Sequence, residues 1–269
     1  MNHVQTYALI VAGLLIQSRP LPDAEAFRKD LPVIVDIRNA ISRPLVGSPA
    51  PDPILNQYTY KEQKTETILD SKGKTRSTTI EVFEVTRSSL TGKVYRRPVS
   101  KNGEPVTGEL PSKSVTSTTS APPPFRDPVA EERDIQALYE IHANWSESID
   151  GHSVIALTLR PNPRYKPKTQ LGEWQQHFLI RAWLTEKGHE VIRQESEVIT
   201  EIPDPGRPGP IKKGTMIKME RQLINGEVWI PIRTELHMIG GFLPKGEQGF
   251  SINEYSEFKK FVVDVELKH

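Results

Sequence analysis

The chain has 269 residues, a length that fits one large domain or two. Its 35 Lys and Arg residues balance 34 Asp and Glu residues, so no general field attracts nucleic acid or an anionic membrane. The absence of cysteine excludes disulfides, thiolate metal sites, a cysteine nucleophile and a lipid-modified N-terminal cysteine.

The first 26 residues are predicted to be a signal peptide. Residues 7–16 read YALIVAGLLI, an apolar run that is too short to span a bilayer but has the length of a signal-peptide core. Cleavage is expected after Ala26, in the small-x-small sequence Ala24-Glu25-Ala26, or after Ser18. The alternative is a buried N-terminal helix or strand. We expect an exported, periplasmic protein, and an uncleaved N-terminal membrane anchor is the other interpretation.

Residues 27–53 are predicted to contain an N-terminal helix and a Pro-rich linker. Apolar residues fall near helical spacing between Asp23 and Ile41, and Pro32 must kink or shorten that helix. Residues 47–53 read GSPAPDP, a composition typical of a linker.

Residues 54–269 are predicted to form one half-barrel domain that begins with a β-meander. Residues 57–69 and 76–87 are rich in β-branched and aromatic side chains and flank a turn at Gly73. Residues 93–100 continue to a tight turn at Asn102-Gly103. Residues 112–128 are low in complexity, and we expect a disordered Ser/Thr/Pro loop there.

Two helices are predicted to be inserted among the later strands. Asp127 and Pro128 provide an N-cap and a first-turn proline for a helix that ends near Leu138. Leu171, Trp174 and Phe178 have the i, i+3, i+7 spacing of a second short amphipathic helix that covers the sheet.

Three hairpins follow the meander. Residues 139–145 and 155–159 alternate around a turn at Asp150-Gly151, and residues 179–184 and 191–202 form the next pair. The third hairpin turns at Asn225-Gly226. Its apolar residues alternate with charged ones, so each strand should have one apolar face, which packs against apolar groups, and one charged face. Those apolar residues are Ile217, Met219, Leu223, Val228, Ile230, Ile232, Leu236 and Met238.

The order of these elements predicts a mainly β (α+β) fold. About ten strands follow one another in hairpin order, and no βαβ spacing occurs. We expect a single curved antiparallel sheet that forms an incomplete β-barrel, with N-terminal and inserted helices over its concave face. A closed barrel of lipocalin type is the geometric alternative.

The sequence contains no recognisable catalytic motif. The seven histidines lack metal-ligand spacing, and His142 and His237 are predicted to lie on outward strand faces. No G-x-S-x-G sequence occurs. We therefore expect neither an enzyme nor a bound cofactor or metal.

The chain resembles a known family, and the motifs that carry the resemblance lie in its last fifth. These motifs are the run 212–220 (KKGTMIKME), Trp229-Ile230-Pro231, and the run 255–261 (YSEFKKF). These resemble LolA/LolB-like outer-membrane lipoprotein-sorting and carrier proteins and their uncharacterised periplasmic relatives. The resemblance covers about residues 55–267. It implies an incomplete barrel with helices over its mouth, which binds acyl chains in an apolar cavity without catalysis.

The function predicted from these observations is a non-enzymatic carrier or binding protein for a lipid, a lipoprotein acyl chain or another apolar ligand. An envelope or outer-membrane protein is the other expected partner, bound by an interaction module with a filled core, and nucleic acid is not expected. Eight residues are predicted to line the cavity, with core filling as the alternative for each. They are Ile180, Trp183, Ile217, Met219, Ile230, Ile232, Phe261 and Val263.

Overall fold

The computed structural model describes residues 53–88, 93–106, 127–187, 190–203, 209–241, 243 and 247–261. The predictions of a signal peptide, an N-terminal helix and a linker therefore lie outside the described residues, as does the predicted loop up to residue 126.

The described residues form eleven strands, two α-helices and one 3-10 helix. In chain order they are η1 (Pro53–Gln57), β1 (Tyr58–Leu69), β2 (Thr75–Arg87), β3 (Val94–Lys101), β4 (Glu104–Pro105), α1 (Pro128–Leu138), β5 (Tyr139–Ile149), β6 (His152–Pro161), α2 (Gln170–Gln175), β7 (Phe178–Thr185), β8 (Val191–Val198), β9 (Met216–Ile224), β10 (Val228–Ile239) and β11 (Gln248–Lys260).

All eleven strands belong to one antiparallel sheet with the order β4-β3-β2-β1-β11-β10-β9-β8-β7-β6-β5. Neighbours in the sheet are also neighbours in sequence, except that β1 pairs with β11. The edge strands β4 and β5 do not pair with each other, so the sheet stays open. The prediction of an open, curved antiparallel sheet with inserted helices is confirmed.

The hairpin turns form where the sequence predicted them. Asn225 and Gly226 have φ angles of 53° and 71°, and Asp150 and Gly151 have φ angles of 50° and 79°. A two-residue turn with positive φ at both positions matches the right-handed twist of the flanking strands, and Asn, Asp and Gly tolerate it best.

Helix α1 has the predicted bounds. The backbone N–H of Val129 donates to the Asp127 carboxylate at 3.0 Å, and that of Ala130 donates at 3.2 Å. The N-cap thus satisfies two donors that the first turn of a helix leaves without partners.

The second predicted helix is shorter than its apolar spacing indicated. Helix α2 ends at Gln175, and Phe178 begins β7. Phe178 is buried because it belongs to the period-two alternation of β7, so its helical spacing from Leu171 is coincidental. The prediction that β8 extends to residue 202 is also wrong. The strand ends at Val198, and Ile202 forms only an isolated bridge with Ile211.

The main core lies between α1 and strands β5 to β8. Ile135 and Leu138 of α1 pack on alternate residues of these strands, and this side of the sheet is named the helix face. The opposite side is the outer face. The buried strand residues of this core include Leu157, Leu159, Phe178, Ile180, Ala182, Leu184, Val191 and Val198.

A smaller second core joins the 3-10 helix to the other half of the sheet. Tyr58, Val228 and Ile230 are buried there, and Ile54 and Leu55 of η1 pack against them. This second core lies on β1 and β10, in the middle of the strand order. Within the described ranges, neither helix is long and apolar enough to cross a membrane.

Candidate functional site

One row of paired residues on the helix face crosses nine strands and passes through the main core. Adjacent members are register partners, so their side chains lie on one side of the sheet. From β5 to β2 the row reads Ile141, Leu159, Ile180, Ser196, Ile217, Leu236, Ser251, Glu66 and Thr79.

Burial falls steeply along this row. Ile180 on β7 is 1% exposed and Ser196 on β8 is 6% exposed, but Ile217 on β9 is 43% exposed. The main core therefore ends at β8. An isoleucine on the helix face that is 43% exposed belongs to a surface that is not packed as core.

The next row of register partners shows the same fall in burial. It runs through Ala182, Gln194, Met219, Thr234 and Asn253 on β7 to β11, all register partners. Ala182 is buried, whereas the other four are half-buried. The helix face of β9 and β10 thus carries the half-open apolar residues Ile217, Met219 and Leu236, and these three define the open strip.

Ile180, Ile217 and Met219 lie on the helix face, but Trp183 does not. The prediction that Trp183 lines the same wall as Ile180 is wrong, because side chains three residues apart on a regular strand point to opposite faces. Trp183 pairs with Arg193, whose guanidinium lies 5.0 Å from the centre of the indole ring. The tryptophan is therefore part of the outer face.

The other predicted cavity residues are dispersed. Ile230 packs in the second core, and Ile232 lies in a β-bulge between the register pairs of Pro231 and Arg233. Phe261 follows the end of β11, and its N–H donates to the carbonyl of Gln57 at 2.9 Å. Val263 lies outside the described residues. Whether any of the eight residues contacts a ligand stays a prediction.

The far end of the helix face, on β1 to β3 and β11, carries an aromatic and charged group of side chains. Arg96 donates from Nε to the Glu62 carboxylate at 2.8 Å, and Glu62 is 3% exposed. The ring of Tyr60 lies 5.8 Å from that of Tyr255. We name Tyr60, Glu62, Arg87, Arg96 and Tyr255 the aromatic–arginine cluster.

The cluster is a sheltered polar environment. Burial raises the pKa of the Tyr60 hydroxyl, and the positive charge of Arg87 opposes this in part. Burial also raises the pKa of Tyr255. Both hydroxyls therefore stay protonated at neutral pH and can donate hydrogen bonds.

Among the described residues, three strand side chains bury a polar atom without a hydrogen-bond partner, and all three lie on the helix face. They are Nε of Arg87, Nε of Arg221 and Oδ1 of Asn253. Arg87 is two positions from Val85 and Arg221 is two positions from Met219, so each shares the face of that neighbour. Asn253 is the register partner of Thr234 on the same face. Buried atoms of this kind normally have partners, so each is an unsatisfied polar group on the helix face.

Arg221 was missed by the sequence analysis although the signal was present. Residues 217, 219, 221 and 223 form the helix-facing series of β9, and Arg221 is its only polar member. An arginine that interrupts an apolar strand face is expected to be either paired or functional.

A buried aspartate that sequence reasoning also missed connects helix α1 to the segment that precedes α2. Asp134 is 3% exposed and accepts hydrogen bonds from the Tyr165 hydroxyl at 2.8 Å and the Thr169 hydroxyl at 2.6 Å. The backbone N–H groups of Lys168 and Thr169 also donate to it. No spacing in the sequence connects Asp134 to residues 31 to 35 positions later.

A row of alternating charges crosses the outer face. Arg193, Glu220, Arg233 and Glu254 are successive register partners on β8 to β11. Arg233 donates from Nη1 to Glu254 at 2.5 Å. Opposite charges that face each other across strands neutralise this surface and keep it solvated. His237 belongs to the same face as predicted and stacks on Phe250, with ring centres 4.2 Å apart.

In the part of the chain that the structure describes, no three His, Asp or Glu side chains are grouped so as to hold a metal ion.

Comparison with known proteins finds no matching family model and no match among curated proteins. Solved structures do match. A DUF1329 family protein from Desulfovibrio piger is 14% identical, over 88% of this chain and 95% of that chain, with a TM-score of 0.33. A domain assigned to outer membrane lipoprotein sorting from Vibrio parahaemolyticus is 11% identical, over 86% and 94% of the two chains, with a TM-score of 0.36.

A LolA superfamily protein from Nitrosomonas europaea is 12% identical, over 85% of this chain and 94% of that chain, with a TM-score of 0.29.

Proposed function

We propose that this chain is an exported, non-enzymatic carrier or binding protein that holds the acyl chain of a lipid or lipoprotein against the open strip of the helix face. The periplasm is the proposed location. The C-terminal sequence resemblance and the one-sided distribution of apolar and charged residues support this function.

The observation that carries the proposal is the contrast between Ile180 and Ile217. Both lie in one register row on one face, two strands apart, and their exposures are 1% and 43%. A filled core would bury both. Each methylene of a ligand that covers such a residue is stabilised by about 0.8 kcal/mol, so an acyl chain is a favourable occupant.

The proposal is tested by purifying the full chain after periplasmic expression and extracting it with organic solvent. The expected result is a co-purifying lipid in the extract and saturable binding of a fluorescent fatty acid by the extracted protein. No lipid in the extract together with no binding of the fluorescent fatty acid would overturn it.

A second candidate is an envelope interaction module, and strand β5 favours it. β5 has eleven residues and pairs on one side only, with β6, among the described residues. A long edge strand offers unpaired backbone groups to an extended segment of a partner protein. Crosslinking in cells from an edge residue such as His142 would then trap one protein, whereas the carrier function requires no such product.

A further inference from the structure

Arg221 differs from the arginines of the outer face in lacking a counter-ion. Arg181, Arg193 and Arg233 each lie within 4.0 Å of at least one carboxylate. Within the described residues, no carboxylate lies that close to Arg221, and none of its side-chain atoms forms a hydrogen bond. Its Nε atom is buried.

The surroundings of Arg221 are apolar. Met219 and Leu223 flank it on the same face of β9, and its register partner on β10 is Pro231, which has no N–H. Burial lowers the pKa of the guanidinium, and the negative charge of Glu190 opposes this only in part. A charge held in such surroundings without a partner destabilises the folded chain.

The position of Arg221 relates it to the open strip. Arg221 is four positions from Ile217, or about 13 Å along an extended strand, and Met219 lies between them. A cation at one end of an apolar strip is complementary to a molecule that has an anionic head and an apolar chain. The guanidinium presents a planar set of donors that matches the two oxygens of a carboxylate or phosphate.

We propose that Arg221 binds the anionic oxygen-bearing head group of an acyl amphiphile whose chain lies on the open strip. The inference rests on the proposed carrier function and narrows its ligand to acyl compounds with a carboxylate or phosphate head. The unpaired arginine is then a binding residue whose desolvation cost is offset when the ligand is bound.

The test measures binding of four probes to the full, lipid-extracted chain by competition with a fluorescent fatty acid. The probes are oleate, oleoyl lysophosphatidate, oleyl alcohol and inorganic phosphate. Oleate and oleoyl lysophosphatidate should each bind at least about tenfold more tightly than the alcohol, since a hydrogen bond to a charged group is worth that factor or more. The tighter of the two identifies the head group as carboxylate or phosphate.

Three variants assign the preference to one residue. Arg221→Met should abolish the preference for the anionic probes without weakening the binding of oleyl alcohol. Arg221→Lys should keep part of that preference. Arg181→Gln on the outer face is the matched control, because Arg181 lies 3.7 Å from Glu195, and it should bind all probes like the wild type. Without ligand, the unfolding midpoint of Arg221→Met should equal or exceed that of the wild type.

Each contrary outcome has a defined meaning. Equal binding of oleate and oleyl alcohol by the wild type, or an unchanged preference in Arg221→Met, overturns the role of Arg221 and leaves the carrier function intact. Inorganic phosphate that binds as tightly as the lysophosphatidate overturns the acyl requirement. If neither the fluorescent fatty acid nor any acyl probe binds the wild type, both the carrier function and this inference are overturned.

Discussion

The carboxylate of Asp134 on α1 and the hydroxyl of Thr169, the N-cap of α2, are joined by a hydrogen bond of 2.6 Å. The Thr169 hydroxyl in turn accepts from the N–H of Gly172, so one buried carboxylate organises the start of α2 and connects it to α1.

Replacing Asp134 with Asn should therefore destabilise the fold by about 3 kcal/mol. The substitution removes a charge that accepts several hydrogen bonds and places a donor against donors. Urea unfolding measures the loss. Asp150→Asn in a hairpin turn is the control and should change stability little, because Asn tolerates the positive φ of that position. Equal effects of the two substitutions would contradict the role of Asp134.

The same contact predicts how stability depends on pH. Burial raises the pKa of Asp134, but hydrogen bonds from Thr169, Tyr165 and the backbone outweigh it, and the folded pKa is lowered. The stabilisation is thus complete above the unfolded pKa, which is about 3.9, and is lost as the pH falls through the folded value. The difference in unfolding free energy between the wild type and Asp134→Asn should shrink below about pH 4. A difference that grows towards acid would have the wrong sign.

Gly172 should not accept a side chain, although it lies in a helix. A Cβ atom there would come within 2.1 Å of Oδ2 of Asp134. Alanine improves helix propensity by about 1 kcal/mol over glycine, but the overlap should outweigh this gain, and we expect a net loss of about 2 kcal/mol. Denaturant unfolding compares Gly172→Ala with Gln170→Ala, an exposed position of the same helix. A stabilised Gly172→Ala chain would show that the carboxylate can move aside.

The open strip predicts unequal effects of two isoleucine truncations. Ile180→Ala removes buried volume from the main core and should cost about 3 kcal/mol. Ile217→Ala in the same row should cost about 1 kcal/mol or less in the ligand-free chain, because the side chain is largely uncovered. The midpoints of urea unfolding measure both. Similar losses would mean that Ile217 is packed as core.

The parts of the fold that depend on neighbouring residues follow directly from the sequence. The turn at Asn225-Gly226 and the cap at Asp127 are set by local backbone preferences, and both form where predicted. Alternation likewise predicted the helix face of β9, because a regular strand alternates independently of its partners.

Contacts between distant residues were not predictable in this way. The pairing of β1 with β11 joins segments about 190 residues apart, and no local signal specifies it. Trp183 was assigned to the cavity because it is a large apolar residue. It lies three positions after Ile180 on a regular strand, so its side chain points to the outer face. The bulge at Ile232 depends on the register of two strands. The alternation that contains Arg221 was recognised in the sequence. That its side chain has no hydrogen-bond partner among the described residues follows only from the folded structure.

The most direct test of the carrier function compares two isoleucines of similar exposure on opposite faces. Ile217 on the helix face is 43% exposed, and Ile80 on the outer face is 38% exposed. Titration of a fluorescent fatty acid into Ile217→Asn and Ile80→Asn should show at least about tenfold weaker binding for the first and wild-type binding for the second, because a polar amide against an acyl chain loses apolar contact and is desolvated. Equal affinities in the two variants would contradict a ligand on the helix face.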